Sequence, residues 1–219
     1  MTIITISRGA FKWGEELTEC LSKHLGYRTI NRETLMLGAE RYGIPQERLV
    51  QELEQPAGLS EKVGMNIDRV YYLSFIQAAL CEEAISDNII YHGYGGHLLL
   101  RGVSHVIKVK LLVDTEQRLA FVQERDKLSR EEALAHITHR DEQRRKWIKF
   151  LYNRDWDDTT PYDVVIDLQK QTIPEACERI SAMTKLPQYQ STEASRRAIE
   201  MILEISRKKQ EIHQKILHE

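Results

Sequence analysis

Five short β-branched runs, alternating with helical patterns, constrain this chain more than any other feature. The runs fall at 3–6, 27–30, 88–92, 106–113 and 163–168. Between them apolar residues recur at helical spacing near 14–25, 32–42, 45–54, 66–86, 115–127, 129–150 and 174–184. Strands that alternate with helices predict an α/β fold, a five-stranded parallel sheet with helices on both faces. The second run is the weakest, because Arg28 and Thr29 make it polar. Gly43, Pro45, Pro56, Gly58 and Gly64 predict a broken helical insertion at 43–64. Ser129 followed by Glu132 predicts a helix start closed by a capping box.

The chain has 219 residues, enough for one well-cored domain and an appendage. A net charge of −2 gives no global attraction to nucleic acid or to an anionic membrane, so any anion site must be built locally. No apolar run approaches the roughly 20 residues that span a bilayer. No basic segment followed by an apolar stretch opens the chain, so a cytoplasmic location is expected. Cys20, Cys81 and Cys177 are odd in number and far apart, which predicts free thiols rather than a disulfide or a zinc site.

Residues 2–17 combine a buried strand (Ile3, Ile4, Ile6), a turn, and a helix built on Leu17, Leu21 and Leu25. Gly9 and Gly14 have the G-x-x-x-x-G spacing of a phosphate-binding Walker A loop. Lys and Ser/Thr should follow, the first for the phosphates and the second for Mg²⁺, but Glu15 and Glu16 stand there. The donors left are the backbone N–H groups of residues 9–15, which cradle anions by geometry and dipole. The predicted phosphate site is therefore Arg8, Gly9, Ala10, Phe11, Lys12, Trp13, Gly14, Glu15 and Glu16. Lys12 either swings in to replace the missing lysine or points to solvent while Trp13 packs on the loop.

Three further segments carry a resemblance. The longest is Asp141-Glu142-Gln143-Arg144-Arg145-Lys146-Trp147-Ile148-Lys149-Phe150-Leu151-Tyr152-Asn153-Arg154-Asp155-Trp156, followed by Pro161-Tyr162-Asp163-Val164-Val165-Ile166-Asp167. The second is Asn88-Ile89-Ile90-Tyr91-His92-Gly93-Tyr94-Gly95-Gly96, and the third pairs Ser7-Arg8 with Asn31-Arg32. With the loop, these make the chain resemble the cytidylate kinase-like family of P-loop nucleoside monophosphate kinases over about residues 2–183. The resemblance implies a P-loop kinase-type domain at 1–186, with an acceptor-side helical insertion near 32–70 and a lid near 129–156. It implies transfer of the ATP γ-phosphoryl group to a pyrimidine nucleoside monophosphate such as CMP, with Mg²⁺ as cofactor.

Arg140 and Arg144 lie four apart on one helical face, and lid arginines of this kind clamp the transferring phosphoryl group. Arg145 is offset, with Asp141 four residues earlier as its expected partner. Arg32, Gly93, Tyr94 and Gly95 occupy the acceptor side. Arg118 and Arg125 share a face of another helix, where related kinases place an arginine against adenine. The departures are Glu15 for a basic residue, Tyr94 within a Gly-Arg-Gly, Asn31 for Asp, and His92 at a strand end that lacks an acid for Mg²⁺. His92 and His97 read as loop polarity, and Asp155, Asp157 and Asp158 as turn residues.

After Leu186-Pro187 the composition changes: residues 191–219 are polar and rich in Lys, Arg and Glu, and an amphipathic helix is expected within 187–219. Ala198, Ile202, Ile205, Lys209, Ile212 and Ile216 are spaced 4, 3, 4, 3, 4, a heptad seam that could join copies or recruit a protein partner. Ile199 and Leu203 widen the stripe and favour docking or a bundle over a strict two-stranded coil. Three functions stay open: a nucleoside monophosphate kinase of reduced activity, an inactive nucleotide sensor or scaffold acting through this helix, and a P-loop kinase for a non-nucleotide acceptor.

Overall fold

A strand that is apolar on both faces must lie between two layers, and β1 (Ile3–Ser7) is buried at every position. The computed structural model describes residues 2–7, 11–31, 33–35, 65–86, 88–93 and 95–218. β1 pairs in parallel with β3 (Ile89–Gly93) and with β4 (Val106–Leu112). β2 (Arg28–Asn31) adds to β3 and β5 (Val164–Asp167) to β4, giving the order β2-β3-β1-β4-β5. All five strands lie within one residue of their predicted positions.

Two cores flank the sheet. On one face α1 (Lys12–Leu25) and α6 (Ile173–Met183) bury Leu17, Leu21, Ala176 and Ile180 against Ile4, Ile6, Ile107 and Val109. On the other, α2 (Met65–Ala84), the short α3 (Gly96–Leu99) and α7 (Glu193–His218) cover Ile3, Ile89, Tyr91 and Val106. Two helices near one end of the sheet, α4 (Thr115–Asp126) and α5 (Arg130–Tyr152), share a small core of Leu119, Val122, Ala133 and Ile137. The Ser129–Glu132 capping box opens α5 as predicted. The broken insertion at 43–64 lies outside the described residues.

The cysteine reading is corrected. Cys20 and Cys177 form a disulfide with their Cα atoms 6.2 Å apart, and Cys81 remains a buried thiol. Sequence distance hid the pair; α1 and α6 lie side by side and bring the two within bridging range. The C-terminal helix docks on α2 of its own domain. Ile199 and Leu203 are buried there, Ser206 donates to Gln77 Oε1 (3.2 Å), and Arg207 pairs with Glu82 (2.8 Å). Ala198 and Ile202 pack partly against the same core, whereas Ile205 and Ile212 stay exposed.

Candidate functional site

Parallel strands bring their C-terminal ends to one edge, where open α/β sheets bind ligands. α1 starts at this edge. Phe11 caps it at φ 47°, ψ −131°, a conformation that costs a non-glycine residue about 1–3 kcal/mol. A Cβ on Gly14 would come 2.6 Å from His92 Nε2, so glycine lets the first turn of α1 rest on the end of β3. Glu15 and Glu16 are exposed. The Lys12 ammonium lies 3.9 Å from Glu16 and 5.4 and 5.5 Å from the Trp13 and Phe121 ring centres. Lys12 thus covers an aromatic pair. Arg8, Gly9 and Ala10 lie outside the described residues.

The cationic side chains gather on α4 and α5. Arg144 is 5% exposed, and its Nη1 donates to Asp141 Oδ1 at 2.7 Å. Arg118 of α4 donates to the other oxygen, Oδ2, also at 2.7 Å. One carboxylate therefore holds two guanidinium groups from two helices. The Phe11 ring lies among three such groups, with guanidinium carbons of Arg118, Arg144 and Arg125 at 5.2, 5.8 and 5.9 Å from its centre. These are cation–π distances, and they fix the N-cap residue of α1 against the two helices. The Nε atoms of Arg118 and Arg144 are buried with no hydrogen-bond acceptor among the described residues. The expected Arg145–Asp141 pair does not form; Arg145 pairs with Asp157 (2.8 Å), because Asp141 faces Arg118 and the preceding helix. Arg140 lies one turn before Arg144 on α5. It lies near Asp126, whose carboxyl is held below the usual range by the Arg125 hydrogen bond, with smaller help from His136 and Arg140.

A pocket of about 290 Å³ opens next to this cluster, lined by Ser7, Lys110, Arg118, Asp141, Arg145 and Asp157 among others. Lys110 stands on β4 and is 5% exposed. Its ammonium donates to the Trp156 carbonyl (2.8 Å) and lies 5.4 Å from the centre of the Tyr162 ring. Burial lowers its pKa, against the opposing pull of Asp157, Asp158 and Asp155. Tyr162 shares a hydrogen bond with Ser7, and burial raises the phenol's pKa. His97 stacks on Tyr162 with ring centres 4.3 Å apart. Burial first, then the charges of Lys110 and Lys108, push its imidazole down to about 4. The reading of His97 as loop polarity is thereby replaced by a buried, neutral ring.

On the acceptor side Gly93 ends β3 and Gly95, at φ 66°, caps α3. Arg32 and Tyr94 lie outside the described residues. Asn31 Oδ1 accepts from Thr34 N and Oγ1, both at 2.9 Å, and so closes the turn after β2. Asp155 Oδ1 accepts from Asp157 N (2.9 Å) and Asp158 Oδ1 from Thr160 N (2.8 Å), which makes them turn residues as expected. Among the described residues no three His, Cys, Asp or Glu side chains cluster as a metal site. The described residues alone therefore do not preassemble a Mg²⁺ site.

Lys110 had no motif to announce it, and Tyr162 lay in the quoted segment 161–167 without a role assigned to it. The available signal was charge inside an apolar strand, since Lys108 and Lys110 interrupt the run 106–113 with period two. Arg118 and Arg125 were legible as a shared face, but not their meeting with Phe11.

The parallel sheet, the strand–loop–helix unit and the arginines at the sheet's C-terminal edge define a P-loop kinase-type α/β protein. The chain belongs to the cytidylate kinase-like family, whose model matches residues 3–170. A cytidylate kinase of Methanothrix thermoacetophila is 32% identical over 168 residues, 75% of this chain and 87% of its own. The crystal structure of an uncharacterized protein from Eubacterium ventriosum superposes with a TM-score of 0.63 at 17% identity, covering 84% of this chain and 97% of that one, and supports the fold. Among the described residues no helix is long and apolar enough to cross a membrane.

Proposed function

We propose that this protein transfers the γ-phosphoryl group of ATP to a pyrimidine nucleoside monophosphate such as CMP, with reduced activity. The observation that carries this reading is the pair of guanidinium groups, Arg118 and Arg144, held on Asp141 beside the pocket at the sheet edge. Phosphoryl transfer depends mainly on positioning and on neutralising several negative oxygens. Guanidinium donors are suited to both tasks, and α5 acts as the lid that carries Arg144 and excludes water. An oxygen of the acceptor phosphate attacks the γ-phosphorus, the bond to the β–γ bridging oxygen breaks, and two diphosphates leave. The family and the 32% identical cytidylate kinase support the choice of acceptor.

A second reading is favoured by Glu15 and Glu16 at the start of α1 and by the Phe11 ring among the arginines. In it the protein binds a nucleotide without turnover and acts as a sensor or scaffold, with α7 as the partner surface. A coupled phosphotransfer assay with ATP, Mg²⁺ and a panel of nucleoside monophosphates separates the two. Diphosphate formed from CMP supports the enzyme. No product across the panel, with ATP still bound, moves the weight to the sensor.

A further inference from the structure

We infer that Lys110 supplies to a bound phosphate oligoanion the positive charge that Glu15 and Glu16 do not provide. The inference rests on the nucleotide-binding reading above and adds a residue from outside the loop. Ile6 is level with Val109 in the sheet, so Lys110 is level with Ser7, the last residue before the loop. β4 therefore carries an ammonium to the root of the loop from the neighbouring strand. Lys110 is 5% exposed and lines the pocket with Ser7, Arg118, Asp141 and Arg145.

The contacts of the three cations differ. Arg118 is paired with Asp141 and Arg145 with Asp157, each through a close carboxylate. Lys110 contacts only neutral groups among the described residues: the carbonyls of Trp156 (2.8 Å) and Asp158 (3.4 Å) and the rings of Trp156 and Tyr162. An ammonium has three donors, and these carbonyls engage two. Burying a cation without a contacting anion is costly, and a phosphate oxygen entering the pocket would complete its shell. The carbonyls of 156 and 158 meanwhile aim the ammonium, so the site is formed before the ligand arrives.

Calorimetric titration of the full chain with inorganic tripolyphosphate and, separately, with ATP tests this, using the wild type, Lys110→Met and Lys110→Gln. The wild type is expected to bind both probes, and both variants to lose at least about tenfold for each, the loss expected for one charge-assisted hydrogen bond. Unchanged affinity in a folded variant, even one of lower stability, would overturn the inference and leave the function intact. A loss for ATP alone would place Lys110 at the base or sugar and overturn it too. A wild type that binds neither probe would sink both this inference and the proposed function. Should the variants fail to fold, trace acetylation of the wild type decides. Tripolyphosphate should protect Lys110 several-fold and leave the exposed Lys23 and Lys170 unchanged (80% and 79% exposed). Equal labelling of Lys110 with and without the probe would reject the contact.

Discussion

Asp141 and Arg118 join α5 to α4 beside the pocket: Oδ2 of one lies 2.7 Å from Nη2 of the other. The second oxygen of Asp141 holds Arg144, so the carboxylate sets the spacing of both guanidinium groups. Asp141→Asn removes the charge and keeps the shape. It is expected to lower stability by about 2 kcal/mol, the scale of hydrogen bonds to charged groups. Urea unfolding of this variant, of Arg118→Met and of the double variant should show coupling between the two sites; additive losses would mean the link is energetically idle.

Arg144→Met should lower kcat/KM for the nucleoside monophosphate by about 100-fold or more, through loss of charge-assisted bonds to the transferring group. Lys12→Ala should change it by less than about threefold, because that ammonium rests on Trp13 and Phe121 and is screened by solvent. Equal losses in the two variants would return Lys12 to the reacting centre.

His97 makes stability depend on pH. Its folded pKa is near 4, below the ordinary 6.5, so between these values the unfolded chain binds more protons. The His97 contribution is therefore complete above about pH 6.5, falls as pH drops, and is gone below about pH 4. The full span is on the order of 3 kcal/mol. Across pH 7 to 4 the denaturant midpoint of the wild type should fall relative to that of His97→Gln. Parallel curves would show that the ring has the same pKa in the folded and unfolded chain.

Thiol titration checks the cysteine pairing. Native protein should react slowly or not at all, because burial pushes the Cys81 thiol up to about 12 and the other two cysteines are joined. Denatured, unreduced protein should yield one thiol and reduced protein three. Three thiols without reductant would remove the bridge.

The terminal helix divides into a docked and an open side. Leu203→Ala should cost about 2–5 kcal/mol, as for other buried leucines, while Ile205→Ser should change stability by less than about 0.5 kcal/mol. Light scattering on Ile205→Ser with Ile212→Ser then tests assembly. A wild-type oligomer that dissociates in the double variant makes the exposed seam an interface; an unchanged mass confines the helix to its own domain.

Much of the scaffold was legible because its signals are local. β-branched runs placed every strand within one residue, and Ser129 with Glu132 placed the start of α5. The apolar pair Ile199 and Leu203 pointed to docking or a bundle, and the fold packs them on the helix's own domain. The site was legible only in part. The arginine-bearing helix was found, but Asp141 was matched to Arg145 by i,i+4 spacing, whereas the fold matches it to Arg144 and Arg118. Helical spacing lists the neighbours a side chain can reach, and an approaching second helix selects among them.

Periodicity, β-branching and capping determined the five-stranded parallel sheet, its helical layers and the strand–loop–helix that opens the chain, because each of these depends on residues a few positions apart. The tertiary structure decided the meeting of Phe11 with Arg118, Arg125 and Arg144, the disulfide between Cys20 and Cys177, and the arrival of Lys110 beside Ser7. These contacts join segments up to 157 residues apart. Their energies exist only once the hydrophobic layers have brought those segments together, and no local pattern encodes that distance.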